Sequence, residues 1–212
     1  MGPFWEYQAR CTSLLRAGEP VVDLCIYLGE DVPAKTFAYK LPVVPEGYNF
    51  DVCTRDALMN RFSADGGGLA VAGGMRYRAL VVQDRTYLSP EVLARIGELE
   101  RAGVPVVWCN RGERLAERLP AFGIRPDFAV TSANRPDDRI AFFHRRTADA
   151  DLYFVYNHSD RPCDTPVTLR TPFGRAEQWD PRTATRFPLP MGADKTVQLR
   201  LEPHQSCFVV VE

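Results

Sequence analysis

The pattern of apolar residues changes near residues Gly123 to Asp127, and this change constrains the fold more than any other feature. Before it, strand-like and helix-like segments alternate, while after it short apolar segments are separated by Pro, Gly, Asp and Asn without a helical period. Alternation is typical of an α/β domain with a parallel sheet, and many short strands between turn residues are typical of an antiparallel sandwich. The sequence therefore predicts an α/β domain in residues 1–125 and an antiparallel β-sandwich in residues 126–212.

Two segments define the predicted α/β domain most clearly. The nearly continuous apolar run Val21–Leu28 predicts a central strand that is covered on both faces. Ser89-Pro90-Glu91 predicts a helix start with an N-cap serine, a proline in the first turn and an acidic side chain near the helix dipole, and Gly103 ends that helix. The order of elements implies a small three-layer sheet with right-handed crossovers. The remaining expected elements are helices at Tyr7–Ala17, Asp51–Phe62 and Arg111–Leu119, a strand at Val104–Trp108, and a hairpin of Leu69–Ala72 with Tyr77–Val82 about Gly73-Gly74.

Seven short strands are expected in the second half. Alternating side chains are clearest where Leu152, Phe154 and Tyr156 oppose Tyr153 and Val155. Spacing of this kind is typical of a sandwich. The expected strands are Phe128–Thr131, Ile140–Arg146, Leu152–Asn157, Val167–Thr171, Ala176–Trp179, Val197–Leu201 and Ser206–Val211.

Composition argues against several classes of protein. The net charge is −1 with both signs interspersed, so nucleic acid and a membrane surface are not expected partners. The apolar runs are far shorter than the roughly 20 residues of a spanning helix, and the amino terminus lacks the order of a signal peptide. The cellular compartment is left open by these features.

No metal site and no nucleotide cofactor are indicated. The six cysteines have no CxxC pair or zinc-like spacing and lie mostly in apolar segments, which predicts buried thiols. Gly66-Gly67-Gly68 lacks the Lys and Ser/Thr of a phosphate loop, and GxGxxG is missing from the sequence.

Three carboxylates follow or precede predicted elements at the carboxyl end of the parallel sheet, where open α/β folds place their ligands. Glu30 and Asp31 come after the first strand, and Asp51 opens the next predicted helix. They are candidate substrate-binding residues for a sugar or a cation. The alternative for Asp51 is capping of the helix amides of Thr54 or Arg55.

Cys109 follows a predicted strand and precedes a predicted helix, as the nucleophile of a class I amidotransferase does. A working thiolate needs a tight turn with small neighbours and a histidine base. Trp108 and Asn110 are large, and all three histidines lie in the second domain. No catalytic residue is therefore predicted.

The hairpin with His144, Arg145 and Arg146 has two interpretations. It presents a basic edge to an anion, or one arginine pairs with Asp149 or Asp151 while His144 packs on an aromatic neighbour; the second is favoured. Tyr153 and Tyr156 fall on opposite faces of one strand, and Trp179 is expected to fill the sandwich core. The aromatics Phe4, Trp5 and Tyr7 either cover this domain's own core or face a preceding domain.

Several motifs in the same order resemble the region after the catalytic barrel in glycoside hydrolase family 106, which comprises large α-L-rhamnosidases and related family 2 sugar-binding-like proteins. They are GEPVVDLCIYLGED, the run from Glu46 to Val107, RIAFFHRRTADADLYFVYNHSD and EQWDPRTA. The resemblance implies a glutamine-amidotransferase-like, flavodoxin-like α/β domain followed by a sandwich. It also implies that the catalytic carboxylates and a calcium site belong to a preceding (β/α)8 barrel, which needs about 250 residues, and that further β-domains follow.

Two hypotheses result from the resemblance and the residues. In the first, the chain is a structural, accessory fragment of a rhamnosidase-like glycoside hydrolase, inactive alone, whose partners are the barrel, the later β-domains and a carbohydrate. In the second, it is a stand-alone carbohydrate-binding or amidotransferase-like protein. Sugar specificity and oligomeric state are not encoded in these patterns.

Overall fold

The computed structural model of the chain describes residues 2–30, 41–83, 87–109, 114–130, 140–192 and 196–212. Its helices are α1 (Gly2–Leu15), α2 (Arg55–Asn60), α3 (Pro90–Arg101) and α4 (Leu115–Arg118), followed by a 3₁₀ helix at Leu119–Phe122. Its strands are β1 (Glu19–Val21), β2 (Leu24–Tyr27), β3 (Phe50–Cys53), β4 (Phe62–Asp65), β5 (Gly68–Val71), β6 (Arg76–Tyr77), β7 (Ala79–Gln83), β8 (Val106–Cys109), β9 (Phe128–Val130), β10 (Ile140–Arg146), β11 (Asp151–Asn157), β12 (Cys163–Leu169), β13 (Ala176–Asp180), β14 (Thr185–Pro188), β15 (Thr196–Leu201) and β16 (Ser206–Val211).

The chain divides into two units whose limits differ from the predicted ones in the first 21 residues. One unit, the α/β unit, is Val22–Arg125, and the other, the sandwich unit, combines residues 1–21 with Pro126–Glu212. The reason is that α1 buries Cys11 against Phe208 and Val210 of the sandwich unit, while β1 pairs antiparallel with β10. The amphipathic helix predicted near the amino terminus is thus present, but it belongs to the second unit.

The α/β unit is built on a parallel sheet with the order β3-β2-β7-β8. All four residues of β2 are buried, as the continuous apolar run predicts. Side chains of α2 and α3 pack on one face of the sheet, and side chains of α4 and the 3₁₀ helix pack on the other. Burial of each large aliphatic side chain in these clusters contributes about 1.5–3 kcal/mol. Helix α3 begins at the predicted cap, Ser89, whose Oγ accepts from the Val92 amide.

The helix expected at Asp51–Phe62 is wrong in its limits. The segment instead forms β3, then the short helix α2, and then β4. The prediction combined Val52 of the edge strand β3 with the apolar residues of α2 and with Phe62 of β4. Over so short a segment, the spacing of apolar residues does not distinguish one helix from two strands with a short helix between them.

The hairpin expected about Gly73-Gly74 is present only in part. Both glycines have positive φ, and β5 pairs antiparallel with β6 across them in a three-stranded sheet that also contains β4. The chain then leaves this small sheet, and β7 joins the parallel sheet beside β2. The predicted second strand therefore divides between two sheets.

The second half of the chain forms an antiparallel β-sandwich. A six-stranded sheet has the order β1-β10-β11-β16-β13-β14, and a three-stranded sheet has the order β15-β12-β9. Inward-facing side chains such as Val155, Val167, Leu199 and Val209 form the core between the sheets. All seven expected strands occur, and β1 and β14 are additional edge strands. Among the described residues, the helices are not long and apolar enough to cross a membrane.

Candidate functional site

The carboxyl edge of the parallel sheet places Glu30 beside the start of α3. Strands β2 and β7 are neighbours, and from β2 the chain continues to β3 on one side before it crosses to β7 on the other. Open α/β sheets usually bind their ligands beside the point where the strand order reverses in this way. Here Glu30 follows β2, and Ser89 directly precedes α3.

Both carboxylate oxygens of Glu30 accept hydrogen bonds from the chain itself. Its Oε2 accepts from the Ser89 amide at 2.6 Å, and its Oε1 lies 3.1 Å from Ser89 Oγ and 2.8 Å from Arg55 Nε. Arg55 also pairs with Glu91, in the first turn of α3. Glu30 and Ser89 together therefore satisfy amides at the amino terminus of this helix.

The Glu30 carboxylate is held in its ionised form. The Ser89 amide is the main reason that the pKa of Glu30 lies below its ordinary value, and the Ser89 hydroxyl and Arg55 lower it further. An anion at a helix amino terminus is stabilised by the helix dipole. The side chain is 14% exposed. The Glu30 carboxylate thus occupies the position at the amino terminus of α3 where a ligand anion could otherwise bind.

Asp51 lies within β3 and has a different partner. Its Oδ2 accepts from the Tyr77 hydroxyl at 3.1 Å, and in the strand register it is opposite Cys25. The alternative role as a helix cap is wrong, because β3 continues to Cys53 and Thr54 occupies the N-cap position of α2. Asp31, the third candidate, lies outside the described residues.

Cys109 ends β8 and is buried in the apolar cluster on the α4 face of the sheet. The α/β unit contains no histidine in its sequence, since His144, His158 and His204 all belong to the sandwich unit. A thiolate–imidazole pair cannot be assembled within this unit. The six cysteines are all buried, as predicted, and within the described part of the chain no group of three or more His, Cys, Asp and Glu is placed to hold a metal ion.

The favoured interpretation of the basic hairpin is confirmed. Arg146 Nε donates to Asp151 Oδ1 at 2.8 Å, and the His144 ring stacks on Tyr153 with centroids 3.9 Å apart. Arg145 donates to the carbonyls of residues 17 and 18, just after α1. Tyr153 is buried and Tyr156 is partly exposed, as strand alternation predicts.

Sequence reasoning missed the partner on the other side of His144. Its Nδ1 lies 2.7 Å from Asp127 Oδ2, and its Nε2 lies 2.6 Å from Asp151 Oδ1. Asp127 also accepts from Arg170 at 3.2 Å and from the Tyr153 hydroxyl at 3.3 Å. Asp127 precedes β9 by one residue, and no local pattern marked it. The arrangement is a buried ionic network rather than an open site.

A cleft of about 470 Å³ lies between α1 and the β13–β14 hairpin, over Trp179 and Phe208. Trp179 is only partly buried and packs on the α1 side of the six-stranded sheet, so its expected place in the core between the sheets is wrong. The Arg186 guanidinium lies 3.9 Å from the centroid of the Trp179 ring, and Trp179 Nε1 donates to Glu177 at 2.8 Å. One face of the ring is thus covered by the chain's own cation.

Comparison with known proteins shows what this chain is similar to. A curated relative from Formosa agariphila, named "Putative beta-glucuronidase", is 26% identical over an alignment of 213 positions, which covers 86% of this chain and 18% of the relative. The structure of a rhamnosidase from Novosphingobium sp. PP1Y has a TM-score of 0.85 at 22% identity, covering 99% of this chain and 24% of that one. A catalytic mutant of a GH42 beta-galactosidase from G. stearothermophilus has a TM-score of 0.56 at 11% identity, covering 95% and 42%.

The chain therefore spans about a fifth to a quarter of the length of the first two of these relatives. The family model for glycoside hydrolase family 106, described as alpha-L-rhamnosidase, matches residues 1–111 and 108–189. This match covers most of the chain and agrees with the motifs quoted above. The chain belongs to glycoside hydrolase family 106.

Proposed function

We propose that this chain is an accessory, non-catalytic region of a family 106 glycoside hydrolase. The observation that carries the proposal is the asymmetry of coverage: the rhamnosidase structure matches 99% of this chain, but the match is only 24% of that enzyme. A portion of that size leaves room elsewhere in the parent for a catalytic barrel of about 250 residues.

The carboxylates of the described residues support a structural role. Glycosidases use two carboxyl groups on either side of the scissile bond, one of them with a raised pKa. Asp127 and Asp151 instead flank a buried histidine, and Glu30 has a lowered pKa and accepts from Ser89 and Arg55. We assign Glu30 to the support of α3, and Asp51 to the anchoring of Tyr77.

The α/β unit is proposed to be a scaffold with a glutamine-amidotransferase-like, flavodoxin-like fold. The strand order β3-β2-β7-β8, all parallel, with helices on both faces, supports that assignment. The buried position of Cys109 and the lack of histidine in this unit argue that the scaffold has no amidotransferase chemistry.

The proposed partners are the barrel and the further β-domains of the same parent protein, with carbohydrate as the substrate of the whole. Phe4 and Trp5, at the start of α1, are 56% and 63% exposed and pack edge to face on each other. Exposed aromatic pairs of this kind are typical of contact surfaces. Their position supports contact with another part of the parent.

The proposal is tested by assaying the purified 212-residue chain against an aryl α-L-rhamnoside and an aryl β-D-glucuronide, with a complete family 106 rhamnosidase as the positive control. We expect no release of the aryl group, while circular dichroism shows a folded protein. Turnover that is lost in Cys109→Ala or Asp51→Asn would overturn the proposal. The flanking gene sequence gives an independent check, because the proposal requires a reading frame that also encodes a barrel.

A further inference from the structure

The His144 network joins the two sheets of the sandwich. His144 is in the middle of β10, in the six-stranded sheet, and its side chain is fully buried. Asp127 lies directly before β9, in the three-stranded sheet, and Asp151 begins β11, beside β10. The imidazole therefore contacts one carboxylate from each side of the core.

The geometry determines the number of protons on the ring. Each ring nitrogen lies within 2.7 Å of a carboxylate oxygen, and a neutral imidazole has only one N–H to donate. Both contacts are hydrogen bonds only if the ring carries two protons or if one carboxyl group is protonated. Arg146 donates to the same Asp151 oxygen that faces His144, and Arg170 contacts Asp127. Guanidinium donors favour ionised carboxylates, so the second proton belongs to the ring.

We propose that His144 is a protonation-dependent clamp between the two sheets of the sandwich, closed when the ring is an imidazolium and released when the ring loses a proton. Loss of one N–H sets a ring lone pair against a carboxylate less than 3 Å away. The released ring then bonds only one of its two partners, and the link between the sheets is weakened.

The other groups beside the ring and its two carboxylates are the hydroxyl of Tyr153 and the guanidinium groups of Arg146 and Arg170. Burial raises the pKa of Tyr153, so its hydroxyl keeps its proton, and a guanidinium group in a protein does not lose its proton. On the neighbouring strand β1, the residue opposite His144 is Val21, which is apolar. Burial by itself would lower the pKa of His144, but the hydrogen bonds to Asp127 and Asp151 outweigh it and raise the pKa above its ordinary value.

The sign of the pH effect follows from this direction. A histidine whose pKa is raised in the folded state stabilises the protein fully below the unfolded pKa of about 6.5, and that stabilisation is lost as pH rises through the folded pKa. The unfolding constant of the sandwich unit is then expected to increase by up to about tenfold per pH unit above about pH 6.5. Measurements between pH 6.0 and 7.5 keep the titration of cysteines released on unfolding small, because their unfolded pKa is about 8.5.

The experiment uses a protein in which His144 is the sole histidine. His158 and His204 are exposed, so the variant His158→Gln, His204→Asn leaves the core intact; Asn suits the positive φ at position 204. In this protein labelled with ¹⁵N, we expect both imidazole nitrogens of His144 to keep the protonated chemical shift to a higher pH than in the same protein unfolded in urea. Loss of the ring proton at the same or a lower pH than in urea would overturn the proposal, whatever the stability of the protein.

Urea unfolding gives the second readout. Trp108→Phe removes the tryptophan of the α/β unit, so fluorescence then reports Trp5 and Trp179 of the sandwich unit. We expect the unfolding constant to rise with pH in the single-histidine protein, and the rise to be absent in the same protein with His144→Gln. An equal rise in both proteins would overturn the clamp, and if the His144→Gln protein does not fold, the imidazole shifts decide alone.

Discussion

The α/β unit and the sandwich unit each surround a carboxylate with cationic donors, but they do so at different depths. Glu30 and its partner Arg55 have side chains that are 14% and 44% exposed, whereas Asp127 and His144 are 1% and 0% exposed. Water screens the Glu30–Arg55 ion pair, so this pair adds little to the stability of the fold beyond the hydrogen bonds that Glu30 accepts from Ser89. The second pair has lost its hydration and depends on every remaining partner.

The carboxylates of Glu30 and Asp127 therefore have different roles, although both accept hydrogen bonds from cationic side chains. At the sheet edge, the ionised carboxylate of Glu30 completes the start of a helix, and its loss leaves the parallel sheet itself intact. Between the sheets of the sandwich, Asp127 is the point at which β9 is joined to β10 through His144. The comparison predicts that substitutions have large effects in the buried network and small effects at the edge.

The largest expected effect is that of Asp127→Ala. The substitution leaves the His144 imidazolium and Arg170 without their shared partner inside the core. Breaking a buried ion pair from one side typically destabilises by about 3–5 kcal/mol. We expect a loss of that size in the free energy of unfolding of the sandwich unit, measured by urea titration with tryptophan fluorescence in the Trp108→Phe background.

The matched control is Asp164→Ala. Asp164 is also an aspartate of the sandwich unit, but its ion pair with Arg200 is exposed, so a change within about 1 kcal/mol is expected. If the two substitutions destabilise equally, burial is not what distinguishes them, and the comparison between the two units fails.

The same contrast explains how much could be predicted from the sequence. The strands Ile140–Arg146 and Ser206–Val211 were predicted with the limits that the structure has. Ser206–Val211 is almost wholly apolar, and Ile140–Arg146 ends at the turn that starts with Thr147. Strand β14 was missed because all four of its residues are exposed and carry no alternation. β12 was expected to start later because Pro166, a residue rare inside sheets, lies within it.

The candidate site was predicted less well than the fold. Local patterns placed Glu30 at the end of a strand and Ser89 at the start of a helix, but the bond between them joins residues that are 59 positions apart. Asp127 and His144 are 17 positions apart and meet across two sheets. Pairing of this kind depends on how the elements pack in three dimensions, and the spacing of apolar residues along the sequence gives no information about that packing.

An intermediate effect is expected at the cap of α3. Ser89→Ala removes the hydroxyl that accepts from the Val92 amide and contacts Glu30. Loss of an N-cap side chain costs about 1 kcal/mol. We expect faster hydrogen exchange of α3 amides, with strands of the sandwich unit unchanged. Ser89→Thr keeps the hydroxyl and should retain most of the protection; equal loss in both variants would show that the cap does not stabilise α3.

The smallest effect is expected from Glu30→Gln, because the amide oxygen still accepts from the Ser89 amide, while the charge and the second acceptor, which faces Arg55, are lost. The lowered pKa of Glu30 means that its charge stabilises the folded state above the unfolded pKa of about 4.3 and that this contribution is lost as pH falls through the folded pKa. Hydrogen exchange of α3, corrected for intrinsic rates, should therefore be faster in Glu30→Gln than in wild type near neutral pH. The difference should be smaller than that caused by Ser89→Ala, and it should disappear as pH falls below the folded pKa of Glu30.

The control is Glu91→Gln, which removes the other carboxylate on Arg55 but leaves the contacts between Glu30 and Ser89 in place, so it should change the exchange less. A difference between wild type and Glu30→Gln that persists at low pH would mean that Glu30 acts through its shape and not through its charge.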